Sequence, residues 1–129
     1  MSKVNAELIF ENDFNGHIIK GDERFVVGEK GLAPYDMLQG ALVGCFHATF
    51  LSIIAKKRLS IVSAHYYVDG IKREDVPTTL SKVHIKIMIK SSSSKEQLLR
   101  SFELAAKYCS IYNTITMVAK IDYEVIFED

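Results

Sequence analysis

The sequence predicts a single α+β domain spanning residues 1–129, and three features of its hydrophobic pattern point there. Segments alternating apolar and polar with a period of two stand beside helical segments, without the strict strand-helix alternation of a doubly wound parallel fold. One run, residues 37–55, is apolar at nearly every position and reads as a long central helix. A later run repeats its apolar residues at three- and four-residue steps, the buried stripe of an amphipathic helix. The predicted order is β-β-β-α-β-β-α-β. With 48% hydrophobic residues in 129, one such core can form without a second domain.

Residues 4–10 and 17–20 read as extended, separated by the turn-rich Asn12-Asp13-Phe14-Asn15-Gly16. Gly21-Asp22 between two β-rich runs is a hairpin signal, so residues 24–27 return as a third strand. Gly31-Leu32-Ala33-Pro34 ends that sheet, and Pro34 suits a first helical turn, where its missing N–H would be unpaired anyway. Asp36 favours the positive end of the helix dipole and Lys56, Lys57 and Arg58 the negative end, which sets the helix at about residues 34–58. Residues 61–71 and 79–90 follow as strands around the charged, proline-containing loop 72–77. In the second of them Val83, Ile85, Ile87 and Ile89 alternate with Lys82, His84, Lys86 and Lys90, one buried face against one solvated. Ser93 and Glu96 have the spacing of a capping box. Leu98, Leu99, Phe102, Ala105, Ala106 and Cys109 then line the core side of the second helix. After residues 110–116, read as a connection, the last strand alternates Met117, Ala119, Ile121, Tyr123, Val125 and Phe127 with polar neighbours.

Sixteen basic and sixteen acidic side chains cancel, which argues against a nucleic-acid or anionic-membrane partner, since either calls for a basic excess. A neutral or apolar small molecule is the easier ligand. The N-terminus lacks the charged-then-apolar pattern of a secretory signal, and Glu7 and Glu11 count against an organellar presequence, so the expected location is the cytoplasm. Two cysteines are too few for a disulfide framework, and a reducing compartment keeps them as thiols. Residues 37–55 are about as long as the ~20 residues that cross a bilayer. Gln39, His47 and Ser52 interrupt the run and strands surround it, so it reads as a helix buried on most of its surface, inside the domain or between two copies of it.

Motifs for phosphate loops, dinucleotide binding, a Gly-x-Ser-x-Gly nucleophile elbow and a Cys-x-x-Cys pair are missing from the sequence. Cys45 and His47, two apart on a helix, lie on nearly opposite faces and cannot grip one ion, so no metal and no cofactor is expected. His47 reads as a packed, hydrogen-bonded imidazole. The thiols remain. Taken singly, each cysteine reads first as a small buried hydrophobe, since a reactive thiol needs a cation, a helix N-terminus or a hydrogen-bonding partner to stabilise its thiolate.

Two segments decide how the cysteines are taken together. Residues 31–45, Gly31-Leu32-Ala33-Pro34-Tyr35-Asp36-Met37-Leu38-Gln39-Gly40-Ala41-Leu42-Val43-Gly44-Cys45, are similar to the start of the central helix that bears the peroxidatic cysteine in the OsmC-like family, which includes the organic hydroperoxide resistance proteins. Residues 103–115, Glu103-Leu104-Ala105-Ala106-Lys107-Tyr108-Cys109-Ser110-Ile111-Tyr112-Asn113-Thr114-Ile115, resemble the segment carrying that family's resolving cysteine. The resemblance implies an intertwined homodimer with long central helices packed between sheets and active sites at the subunit interface. It further implies that Cys45 attacks a hydroperoxide and that Cys109 captures the resulting sulfenic acid as a disulfide, later reduced by a dithiol.

The chain also departs from that family. The peroxidases hold their thiolate with an arginine from an N-terminal loop and a glutamate at the start of the central helix; here those positions fall near Phe14 and on Tyr35. Asp36, one residue on, and Arg24 or Lys20 of the hairpin are the nearest candidates to replace them, Arg24 as thiolate partner. The expected pocket comprises Tyr35, Asp36 and Phe46, with Met37, Leu42 and Phe50 adding apolar walls. The leading reading is thiol-dependent reduction of organic hydroperoxides in oxidative-stress defence. The alternative is a non-catalytic OsmC-like dimer that binds a hydrophobic small molecule in the same pocket, and a purely structural subunit is the residual.

Overall fold

The computed structural model describes residues 2–129. The elements are β1 (Glu7–Phe10), β2 (Asn15–Lys20), β3 (Glu23–Gly28), α1 (Pro34–Lys56), β4 (Ser63–Lys72), β5 (Leu80–Lys90), α2 (Lys95–Tyr108), α3 (Ser110–Thr116) and β6 (Lys120–Glu128). The α+β class and the strand order follow the sequence expectation. Two details differ: the strands divide into two three-stranded sheets, and residues 110–116 form a helix where a connection was expected. The chain separates into two compact units, residues 1–40 and 41–129.

In the first unit β1, β2 and β3 form an antiparallel meander. Lys20 pairs with Glu23 across the two-residue turn Gly21-Asp22, and Gly21 takes the positive φ of 59° that such a turn demands. The bend before β2 is closed by Asp13, whose Oδ1 accepts from the Asn15 N–H at 3.2 Å. Gly28 has φ 121°, and a Cβ there would meet the Phe14 carbonyl oxygen, so only glycine lets this strand end pass. Asp36 folds back at the start of α1: its Oδ2 accepts from the Ala33 N–H at 2.9 Å.

In the second unit β5 is central, antiparallel to β4 and parallel to β6. Its Val83, Ile85, Ile87 and Ile89 are buried, and α2 contributes Leu98, Phe102 and Ala105 to the same core. The helices thus cover one face of this sheet. On the other face His84 stands beside Asp122 and Glu124 of β6, partly exposed as its place among the lysines predicted. Ser94, not Ser93, caps α2, accepting from the Gln97 N–H at 3.4 Å; Ser93 instead bonds the backbone of Ser60, donating to its carbonyl and accepting from its N–H. The run of four serines made the two registers indistinguishable by spacing alone.

Helix α1 stops at Lys56, two residues before the expected end, because Arg58 adopts a left-handed φ of 57° and the Leu59 N–H bonds back to the Ile54 carbonyl at 2.9 Å. Its fully buried positions are Leu42, Phe46, Phe50 and Ile54. That is a single i, i+4 stripe. Leu38, Ala41, Gly44, Ala48, Leu51 and Ala55 are exposed, so a helix buried on most of its surface inside the domain is not what the single chain forms. By length and composition α1 is also long and apolar enough to cross a membrane.

Candidate active site: the Cys45 and Cys109 thiols

The position of Cys45 follows from that of its neighbour. Phe46 is driven into the core, where its ring lies 5.3 Å from Tyr112 of α3, 5.8 Å from Phe102 of α2 and 5.8 Å from Tyr123 of β6. Anchoring Phe46 among these aromatics fixes the rotation of α1 and turns Cys45, half-buried, towards the turn between α2 and α3. Its sulfur lies 3.9 Å from the Ser110 hydroxyl oxygen. One helical turn on, Thr49 Oγ1 donates to the Cys45 carbonyl at 2.9 Å.

Cys109 makes the turn itself. With φ −69° and ψ 121° it leaves the helical conformation, ends α2 and caps α3, its sulfur accepting from the Tyr112 N–H at 3.4 Å. Its own N–H bonds the Ala105 carbonyl at 2.8 Å. Asn113 then ties the corner from the other side: Nδ2 donates to the carbonyls of Cys109 at 2.8 Å, Ala106 at 3.0 Å and Lys107 at 3.2 Å. The Ala106 and Lys107 carbonyls are orphans of the α2 end, so these bonds satisfy groups that would otherwise go unpaired, while the Cys109 carbonyl also accepts from the Asn113 N–H at 3.0 Å. Cys109 is fully buried.

The two thiols are shifted in opposite directions. Partial burial pushes Cys45 up, but hydrogen bonding from the Ile111 N–H and then from Cys109 and Ser110 outweighs it and leaves the thiol below its ordinary value. Burial pushes Cys109 up, the Tyr112 N–H opposes this, and the neighbouring Cys45 adds to the rise. The two thiols therefore titrate as an interacting pair, Cys45 pushed down and Cys109 pushed up.

In front of Cys45 runs a groove of about 520 Å³, lined by Ala48, Thr49, Ser52, Ile53 and Lys56 of α1 and by Leu104 and Tyr108 of α2. Phe46, expected at the pocket, is core instead and does not line this groove; Leu42 and Phe50 share its buried stripe. Tyr35 and Asp36 lie in the first turn of α1, in the N-terminal unit, and Arg24 is exposed on β3 opposite Ile19. His47 is packed and hydrogen-bonded, its Nδ1 2.8 Å from the Tyr66 hydroxyl, and desolvation holds its pKa down. Among the described residues no three His, Cys, Asp or Glu side chains are placed to hold a metal ion. Sequence reasoning passed over Ser110, Thr49 and Asn113. Thr49, four residues after Cys45, was within reach of helical periodicity; Ser110 and Asn113 were not, because their role depends on a helix that begins at residue 110.

Similar folds are known. A hypothetical protein from Aquifex aeolicus matches with a TM-score of 0.84 and 24% identity over the whole of both chains. An OsmC-like protein from Mycoplasma pneumoniae matches at 0.86 and 18% identity over 99% of each. The organic hydroperoxide resistance protein OhrB of Bacillus subtilis matches at 0.68 and 13% identity, covering 95% of this chain and 98% of that one. In the comparison with curated proteins nothing matches. Residues 27–124, most of the chain and both cysteines with it, match the family described as OsmC-like protein. With the fold and the cysteine-bearing segments in agreement, this chain belongs to the OsmC-like family.

Proposed function

We propose that the protein reduces organic hydroperoxides by a two-thiol cycle, as a cytoplasmic homodimer. The observation that carries this reading is the meeting of Cys45 and Cys109 with opposed acidities, the first lowered and the second raised. In the cycle the Cys45 thiolate attacks the terminal peroxide oxygen; an S–O bond forms, the O–O bond breaks, and the alkoxide leaves as an alcohol after taking a proton. Sulfur is oxidised to a sulfenic acid and the peroxide is reduced. The Cys109 thiol then attacks that sulfur, loses its proton and expels the hydroxyl as water, leaving a disulfide. An external dithiol returns both cysteines to thiols and is itself oxidised to a disulfide.

The apolar part of the groove lining, Ala48, Ile53 and Leu104, supports an organic peroxide over hydrogen peroxide. Membership of the OsmC-like family and the fold shared with an organic hydroperoxide resistance protein support a redox role of the same kind. The same apolar lining favours a second reading, a dimer that binds a hydrophobic small molecule without chemistry. Mass analysis after one equivalent of organic hydroperoxide separates the two. The peroxidase reading expects a rapid stoichiometric Cys45–Cys109 disulfide, and a sulfenic acid on Cys45 in Cys109→Ser. Thiols that stay reduced, with turnover no faster than in Cys45→Ser, would leave the ligand-binding reading.

A further inference from the structure

The site contains an uncommitted hydroxyl beside the reacting sulfur. Ser110 Oγ lies 3.9 Å from Cys45 Sγ, within hydrogen-bond reach for sulfur. The Thr49 proton is directed to the Cys45 carbonyl at 2.9 Å. Ser110 has no such engagement among the described residues: its backbone carbonyl accepts from Thr114 Oγ1 at 2.9 Å, and its hydroxyl faces Cys45. Its place is fixed by the residue before it, because Cys109 caps α3 and is clamped by Asn113.

We propose that Ser110 supplies the side-chain hydroxyl that positions and stabilises the Cys45 thiolate beside the Ile111 N–H, a neutral donor from the turn of the second cysteine doing what a charged partner would otherwise do. This rests on Cys45 as the reacting thiol, yet goes beyond it by naming a side chain that helps hold the thiolate. When Cys45 ionises, the Ser110 O–H turns onto the sulfur and the bond becomes charge-assisted, stronger than the neutral pair. Two consequences follow from the donor being neutral. Lys56 lines the same groove as Cys45, and support from that charge would be screened by salt, whereas support from a hydroxyl leaves the midpoint of Cys45 in place as ionic strength changes. The donor also travels with Cys109, so any movement that withdraws the second cysteine removes the support of the first.

The test reads the pH midpoint of Cys45 alkylation by iodoacetamide, followed on the Cys45 peptide so that Cys109 does not contribute. Ser110→Ala is expected to raise the midpoint by about one unit, roughly tenfold less thiolate at neutral pH. Ser110→Thr, which keeps the hydroxyl, restores it, and the wild-type midpoint stays in place from low to high salt. Circular dichroism of each variant checks that the fold is intact. A midpoint that ignores Ser110→Ala, or moves instead with salt or with Arg24→Ala, overturns the proposal. Because alkylation needs no peroxide, a shift in a protein that does not consume hydroperoxide upholds Ser110 while overturning the peroxidase reading.

Discussion

At the scale of single residues, two identical side chains acquire different chemistry from their surroundings. Cys45 is half-buried among hydrogen-bond donors and Cys109 is fully buried at a helix junction. A cysteine free in water loses its proton at about pH 8.5. Peptide-mapped alkylation is therefore expected to show Cys45 half-reactive below that pH and Cys109 only above it. The sign follows from the shifts: a lowered thiol gains thiolate as pH rises through a lower midpoint, and a raised one through a higher midpoint. Equal midpoints would remove the basis for giving the two residues separate roles. The surrounding tyrosines are not competing acids, since burial pushes Tyr112 up to about 12 and raises Tyr123 as well.

Between elements, the decisive joint is the corner from α2 into α3. Asn113 of α3 spans it with bonds to the carbonyls of Ala106 and Lys107 in α2 and of Cys109 at the turn, so Asn113→Ala is expected to lower stability by about 1–3 kcal/mol in urea titration and to slow disulfide formation after peroxide addition. Full stability in that variant would mean the corner is held by Cys109 and Tyr112 alone. A second joint lies on the open face of the sheet, where His84 of β5 meets Asp122 and Glu124 of β6, with Asp69 of β4 opposite in register and Lys82 and Lys86 along its own strand. The hydrogen bond to Asp122 raises the histidine pKa, aided by Glu124. A raised value means that the link stabilises the fold fully below about pH 6.5 and is lost as pH rises through the higher folded value. Melting followed across that range is expected to show a step in wild type that His84→Asn lacks. How these joints were foreseen differs. The period-two pattern of residues 83–90 alone places His84 on the solvated face, because strand periodicity acts locally. The corner was not legible: Ser110-Ile111-Tyr112-Asn113 carries no helical stripe of its own, and α3 forms because Cys109 caps it and Tyr112 and Ile115 are buried.

For the whole molecule the question is what covers its apolar surface. Strand residues Leu8, Ile9, Phe10, Phe25 and Val26 are exposed, as are Leu38 and Leu51 of α1, at 39% and 41%. Monomeric soluble proteins seldom leave apolar patches of more than a few hundred Å² uncovered. The sequence anticipated this in part, since it allowed the apolar helix to be buried inside the domain or between two copies. Only the packing of Leu42, Phe46, Phe50 and Ile54 decides how much of the helix one chain can cover. The uncovered side carries Gly44, where an added Cβ would meet nothing within 4 Å, and Ala48 beside it, small residues that let a second helix approach closely. On the homodimer reading, sedimentation equilibrium is expected to give twice the chain mass of 14.6 kDa. A charge at Leu51 would then have to be desolvated in the interface at a cost of several kcal/mol, so Leu51→Glu should shift the protein to monomer and leave circular dichroism of the second unit unchanged. A wild-type mass of one chain would sink the dimer, and with it any active site that needs a second subunit, while leaving the paired thiols of the single chain to be judged by their own chemistry.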